Sequence, residues 1–133
     1  MFVSTPLLRR ALPLLGALSI AVPGSSLAAE VRHQGEISYV CGGVGETEMQ
    51  DLQAMAPKFN LGFWMVEGPR GAYLADIPIR ILQKGKTVAE FTAEGPLCYV
   101  SAPKGAYTIR GRYKDEDRSV PVRTGNKNAY LRW

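Results

Sequence analysis

The sequence predicts a mainly β fold, an antiparallel β-sandwich of about seven strands with one short α-helix near its N-terminal end. Apolar and polar residues alternate at 77–81 and again at 107–113, which is the two-residue period of strands that bury one face. Turn residues separate runs of this kind at intervals of about 8–12 residues, as in a sandwich or a small barrel. Apolar residues follow the helical period in one segment only, near residue 50. We therefore expect packed strands with a single helix beside them.

The first 28 residues have the pattern of a signal peptide. Arg9 and Arg10 precede an apolar run at 11–22, and the small residues of Ser26-Leu27-Ala28 stand where a signal peptidase cleaves. We expect cleavage after Ala28, with cleavage after Ala29 as the alternative, and a periplasmic or secreted mature chain. The apolar run is too short to span a bilayer as a helix. We also expect no membrane insertion of the mature chain.

The mature chain has room for one domain. Removing 28 of the 133 residues leaves 105, which we divide into a flexible leader at 29–36 and a single β-sandwich domain at 37–133. The formal net charge falls from +4 to +2, because Arg9 and Arg10 are removed. Residues 68–133 hold twelve basic and six acidic side chains. This excess of positive charge predicts an acidic partner, either an envelope protein or an anionic envelope polymer. We expect no nucleic-acid partner.

Cys41 and Cys98 are the only cysteines, and both belong to the mature chain. In an oxidising compartment the two cysteines of a small domain most often pair. We therefore expect a Cys41–Cys98 disulfide, with two buried thiols as the alternative. His33 is the only histidine, which rules out a histidine-based triad and argues against a zinc site. We predict no catalytic residue, no metal and no cofactor.

The helix is predicted at about 46–58. Thr47 and Gln50 have the spacing of a capping box, and Pro57 is expected to end the helix or to kink its last turn. One face of this segment is apolar throughout and carries Met49, Leu52, Met55, Ala56 and Phe59. This pattern predicts an amphipathic helix that packs on a sheet.

Pro78 lies within the alternating run at 77–81. Because proline has no backbone N–H to donate, we expect this strand at the edge of a sheet. An unpaired edge is a candidate contact surface for a partner.

Phe59, Phe63 and Trp64 form an aromatic group where the helix meets the next strand. Aromatic faces stack on sugars, so the group is a candidate platform for carbohydrate. Its position between a helix and a sheet favours a role in the core instead.

Three stretches of the second half carry a family resemblance. They are Leu74-Ala75-Asp76-Ile77-Pro78-Ile79-Arg80-Ile81, Pro103-Lys104-Gly105-Ala106-Tyr107-Thr108-Ile109 and the closing valine strand. On these residues, segment 71–133 resembles the carboxypeptidase regulatory-like domain, a transthyretin-like (prealbumin-like, Ig-like) β-sandwich. The whole mature chain is similar to small exported bacterial proteins of unassigned role, on the stretches Tyr39-Val40-Cys41-Gly42-Gly43-Val44-Gly45-Glu46 and Gly71-Ala72-Tyr73-Leu74-Ala75-Asp76. It departs from the common domain pattern at Glu94-Gly95-Pro96, where that family has a Thr-Asp-x-x-Gly turn.

Arginines of two neighbouring predicted strands form the candidate binding face. If the isoleucine and valines of these strands point inward, one outer face carries Arg110, Arg112 and Arg123. Depending on the strand register, Arg132 and Tyr130 extend this face. Guanidinium groups bind phosphate, sulfate and carboxylate groups well.

We therefore predict an exported, non-catalytic binding or interaction module of the bacterial cell envelope. One alternative, implied by the family resemblance, is an accessory subunit of an exported peptidase or other enzyme. Another alternative is a carbohydrate-binding module. Because a fold does not fix a function, these alternatives stay open at the level of sequence.

Overall fold

Two β-sheets make up most of the computed structural model, which describes residues 29–133. The predicted signal peptide at 1–28 lies outside the described residues. In chain order the elements are β1 (Arg32–Gln34), β2 (Ile37–Gly42), α1 (Glu46–Gln53), a short 3-10 helix (Ala56–Lys58), β3 (Leu61–Glu67), β4 (Ala72–Tyr73), β5 (Ile77–Gln83), β6 (Lys86–Ala93), β7 (Leu97–Ser101), β8 (Ala106–Tyr113), β9 (Glu116–Arg123) and β10 (Ala129–Arg132). Neither helix in this range is long and apolar enough to cross a membrane.

The first sheet has the strand order β1-β2-β7-β3-β10, and β4 pairs with the far end of β3. The second sheet has the order β6-β5-β8-β9 and is antiparallel throughout. The predicted mainly β class with one short helix is confirmed, but two details differ. Strand β10 runs parallel to β3, and residues 29–133 contain ten strands rather than about seven. The two shortest, β1 and β4, have three and two residues, too few to show an alternating pattern.

The inner faces of the two sheets share one apolar core. The first sheet contributes Ile37, Tyr39, Leu61, Phe63, Met65, Cys98, Val100, Ala129 and Leu131. The second contributes Ile77, Ile79, Ile81, Ala89, Ala93, Tyr107, Ile109 and Val122. Since successive side chains of a strand point to opposite faces, this core sends every intervening residue to an outer face.

Arg32–Gln34, at the centre of the predicted flexible leader, forms strand β1. It pairs with β2 in an antiparallel hairpin around Gly35, whose φ of 57° suits a tight turn. The Gln34 side-chain amide donates to the Glu90 carbonyl oxygen at 2.7 Å and accepts from the Glu90 N–H at 2.9 Å. These contacts tie the start of the domain to β6 in the other sheet.

Helix α1 is shorter than predicted and begins differently. It ends at Gln53, because Pro57 lacks the N–H that would bond to the Gln53 carbonyl four residues earlier. The expected capping box is absent, because the N-cap residue is Gly45 rather than Thr47 and glycine has no side chain that could cap the helix. Instead, the Glu48 Oε1 atom accepts the backbone N–H groups of Gly43 and Val44, at 3.1 and 2.6 Å.

The helix packs on the outer face of the first sheet, as its apolar pattern predicts. Leu52 and Phe59 are buried there in a second, smaller cluster with three residues of the sheet, Val40, Leu97 and Tyr99. The helix therefore covers β2 and β7. Within residues 29–133, no helix covers the outer face of the second sheet.

The strand that carries Pro78 is not an edge strand, and that prediction is wrong. Strand β5 lies between β6 and β8. The first β5–β8 pair joins Ile79 to Gly111, so Pro78 stands one residue before that ladder begins. A proline at the start of a strand costs no bond to the second neighbour. The proposed contact surface at a Pro78 edge therefore does not exist.

The Glu94-Gly95-Pro96 turn fits closely against the end of β2. A Cβ atom at Gly95 would overlap the backbone of Gly42, so only glycine is compatible with this approach. The Pro96 carbonyl oxygen accepts the Met65 N–H at 2.9 Å. The turn before β7 thus contacts both β2 and β3.

The predicted Cys41–Cys98 disulfide is confirmed. The two cysteines lie directly opposite each other on β2 and β7, and their Cα atoms are 4.1 Å apart. Their sequence separation of 57 residues means that the bond closes a long loop, which includes β5 and β6 of the second sheet.

Replacing both cysteines, Cys41→Ala with Cys98→Ala, should lower the free energy of unfolding by about 2–4 kcal/mol, because the unfolded chain regains the freedom of the open loop. Urea unfolding followed by circular dichroism measures the change. A reducing agent should destabilise the wild type by a similar amount and leave the variant unchanged. Equal unfolding midpoints for oxidised wild type and variant would contradict this expectation.

Candidate functional site

The structure brings Arg110, Arg112 and Arg123 onto one outer face of the second sheet. In the β8–β9 pairing Arg110 lies opposite Ser119, and Arg112 lies opposite Asp117. Arg123 is separated from these pairs by an even number of positions along β9, so its side chain points to the same side. Ile109 and Val122, which neighbour these arginines, are buried in the core.

A fourth arginine, Arg80, joins this face from β5. It lies directly opposite Arg110 in the β5–β8 pairing. The alternation of the isoleucines around it places Arg80 outside, but the sequence does not reveal that β5 and β8 are neighbours. We call the outer surface that carries Arg80, Arg110, Arg112 and Arg123 the basic face.

Two carboxylates partly neutralise the basic face. Arg80 Nε lies 3.2 Å from Glu90 Oε2, and Arg112 Nε lies 3.5 Å from Asp117 Oδ1. More than half of each of these side chains is exposed, so both pairs are weak. Arg110 has no carboxylate partner within residues 29–133; its Nε donates to Ser119 Oγ at 3.3 Å. A depression of about 210 Å³ lies among Arg80, Arg110 and Arg112.

A larger groove of about 870 Å³ opens at one end of the second sheet. Three cationic side chains line it, Lys84 from the β5–β6 turn, Lys104 from the β7–β8 turn and Arg123 from β9. The other lining residues are Leu82, Gln83, Gly105, Ala106, Tyr107, Thr108, Pro121, Val122 and Asn126. None of the lining residues is acidic. We call this feature the basic groove, and it is continuous with the basic face at Arg123.

The wall of the basic groove is fixed by the turn before β8. The Tyr107 hydroxyl donates to the Pro103 carbonyl oxygen at 2.6 Å. The Gly105 N–H donates to Thr124 Oγ1 at 3.2 Å, and the Thr124 N–H donates to the Gly105 carbonyl at 3.0 Å. Three hydrogen bonds therefore hold the backbone around Lys104 in place. Burial raises the pKa of Tyr107 and the charge of Glu36 adds to the rise, while a hydrogen bond with Gln83 opposes it.

Arg132 and Tyr130 do not extend the basic face. Both lie on the outer face of β10, which belongs to the first sheet. The reason is that β10 pairs with β3 rather than continuing the β8–β9 hairpin. The Arg132 Nη1 atom donates to the Gly68 carbonyl oxygen at 2.6 Å.

Tyr130 belongs instead to an aromatic row with Trp64 and Tyr73. The Trp64 ring centroid lies 5.6 Å from that of Tyr73 and 6.2 Å from that of Tyr130, with the ring planes 23° and 14° apart. Trp64 is half-buried, whereas Phe63 and Phe59 are buried in the two apolar clusters, as the sequence favours. The position of Tyr73 beside Trp64 was not predicted, because strand β4 has only two residues.

His33 is exposed on β1, where its Nδ1 atom lies 2.9 Å from Ser38 Oγ. Histidine, cysteine, aspartate and glutamate side chains form no group of three or more suited to a metal ion in the part of the chain that the structure describes. The candidate surfaces are the basic face with its groove and the aromatic row.

Comparisons with known proteins add no relative. No protein-family model matches the chain. Searches of curated proteins and of solved structures also find no match.

Tyr107→Phe should lower the free energy of unfolding by about 1 kcal/mol, because it removes the hydrogen bond to Pro103 while keeping the ring in the core. Urea unfolding near neutral pH measures the loss. Tyr73→Phe is the matched control, since the exposed Tyr73 hydroxyl makes no hydrogen bond to residues 29–133. Similar unfolding midpoints for the two variants would refute the role of this hydroxyl.

Alkaline pH should destabilise the fold through its buried tyrosines. Burial raises the pKa of Tyr99, and burial together with Glu36 raises that of Tyr107. The unfolded chain then loses these protons at a lower pH than the folded chain, so their stabilising contribution is complete below the ordinary tyrosine pKa and declines as pH rises through the raised values. Unfolding free energies measured up to about pH 11 should fall less steeply for Tyr107→Phe than for wild type. Parallel curves would contradict this.

Proposed function

We propose that the protein is an exported, non-catalytic binding module of the bacterial cell envelope. In this proposal the basic face and the basic groove together bind an anionic envelope partner. The observation that carries it is the alignment of Arg110, Arg112 and Arg123 on one outer surface that continues into a groove without acidic lining residues.

The charge distribution favours an extended anion over a small one. Charges spaced along an open groove reinforce one another at the surface and attract an oppositely charged chain. The basic groove is open to solvent, which suits an extended chain better than a single enclosed ion. Guanidinium groups add bidentate contacts to phosphate or carboxylate. An anionic polymer, or an acidic segment of an envelope protein, satisfies these conditions.

Two further features support export and a binding role. The Cys41–Cys98 disulfide agrees with an oxidising compartment, in line with the signal-peptide pattern of residues 1–28. The four-stranded second sheet and the Pro103–Tyr107 turn both lie within 71–133 and support a carboxypeptidase regulatory-like, transthyretin-like domain there. The first sheet also needs β2 and β3, which precede residue 71. In this proposal that family supplies a scaffold for contacts rather than for chemistry.

Reversing two charges of the basic face, Arg110→Glu with Arg112→Glu, should abolish capture of the partner. Crosslinking of tagged protein in its native envelope, followed by mass spectrometry, identifies a protein partner. Binding of fluorescently labelled linear polyphosphate, followed by anisotropy, reports a polymer and should weaken about tenfold or more with a reduced dependence on salt. Both side chains are partly or fully exposed, so thermal stability should change little.

The matched control is Arg32→Glu with Lys58→Glu, which changes the net charge equally and alters no residue of the basic face or the basic groove. It should bind as the wild type does. Equal capture by both double variants, or no capture by the wild type in either assay, would refute the proposal. Crosslinking to a single exported enzyme, lost only in the basic-face variant, would favour the accessory-subunit alternative.

A further inference from the structure

The outer face of the first sheet is only partly covered by the helix. Next to the helical cluster, the aromatic row of Tyr73, Trp64 and Tyr130 crosses three strands, β4, β3 and β10. Trp64 also packs against that cluster. The side chain of Tyr73 is 61% exposed and that of Tyr130 is 43% exposed. Of the four large apolar side chains exposed in residues 29–133, these two flank the same tryptophan, while Val31 and Val44 lie on other segments.

Neighbouring polar groups hold the row in place. The Trp64 indole N–H donates to Asn128 Oδ1 at 3.1 Å. The Arg132 guanidinium carbon lies 5.9 Å from the centre of the Tyr130 ring, and the same side chain is bonded to the Gly68 carbonyl. The rings are therefore oriented before any ligand arrives, which reduces the entropy lost on binding.

We propose that the aromatic row is a binding site for a neutral glycan chain. Pyranose rings present C–H faces that pack on aromatic rings, and their hydroxyl groups need hydrogen-bond partners. The row offers both, since two tyrosine hydroxyls and the Asn128 amide lie beside three aromatic rings. A row that is one ring wide and three rings long matches a linear chain of sugars.

A folded protein partner fits this surface less well. A stable protein interface buries about 800 Å² on each side and has an apolar centre. The row is narrow, and two polar or charged residues that contact it, Asn128 and Arg132, are exposed. Its area therefore corresponds to a few sugar units rather than to a protein interface.

A single-stranded nucleic acid also fits poorly, because such ligands need cations along the backbone as well as stacking rings. The nearest basic residues are already engaged. Arg132 is bonded to Gly68, and Lys127 Nζ donates to the Ala56 carbonyl oxygen at 2.9 Å. The three stacking rings carry no charge of their own, which favours a neutral ligand.

This inference is independent of the proposed function. The aromatic row lies on the first sheet and the basic face on the second, so the two surfaces point in opposite directions. Loss of one is not expected to affect the other.

The test uses the disulfide-bonded mature protein and three hexasaccharides: cellohexaose, maltohexaose and the hexamer of β-1,4-linked N-acetylglucosamine. Calorimetric titration, with tryptophan fluorescence as a second readout, should show binding of at least one of them. Tyr73→Ala with Tyr130→Ala should weaken this binding about tenfold or more, because two stacking faces are lost. Tyr73→Phe with Tyr130→Phe keeps the rings and should retain most of the affinity.

Three outcomes would overturn the inference. They are no binding of any hexasaccharide by the wild type, equal binding by the alanine variant, and loss of a crosslinked protein partner in the alanine variant without any sugar binding. The thermal midpoint of the alanine variant guards against misfolding, and the phenylalanine variant gives a second comparison. The variant Arg110→Glu with Arg112→Glu should bind the sugar as the wild type does, which separates this test from that of the basic face.

Discussion

Apolar packing between the inner faces of the two sheets determines where every outward side chain stands. Ile77, Ile79 and Ile81 on β5 and Ile109 on β8 are almost fully buried. A shift of either strand by one residue would expose these side chains and bury arginines in their place, at a large cost in free energy. The register is therefore fixed, and Arg80 and Arg110 are held opposite each other on the solvent side. Burial of the isoleucines therefore also fixes the positions of the arginines of the basic face.

The length of the helix determines how much of the outer face of the first sheet stays exposed to solvent. Pro57 limits α1 to eight residues, which is about 12 Å of helix. A helix of that length covers β2 and β7 but not the far ends of β3 and β10. The aromatic row occupies the part of the sheet that remains. The proline that ends α1 thus limits how much of the first sheet the helix covers, and the aromatic row stays exposed.

Alternation within one hairpin was sufficient to place Arg110, Arg112 and Arg123 together, because β8 and β9 are adjacent in sequence and their period is two. Arg80, Arg132 and Tyr130 required knowledge of pairings between strands far apart in the chain, which no local pattern encodes. The edge position expected for Pro78 failed for the same reason. The disulfide was predictable because the sequence has only two cysteines. The strand at Arg32–Gln34 was not predictable, because three residues are too few to show an alternating pattern.

The covalent bond between Cys41 and Cys98 lies wholly within the first sheet, and no disulfide links the two layers within residues 29–133. Mechanical load applied between the two outer surfaces would therefore pass through the apolar interface and the chain segments that cross between the sheets. Such an interface resists shear through many small contacts, none of which is covalent. A tether made of this domain would yield by separation of its layers, while the crosslinked pair of strands stayed together.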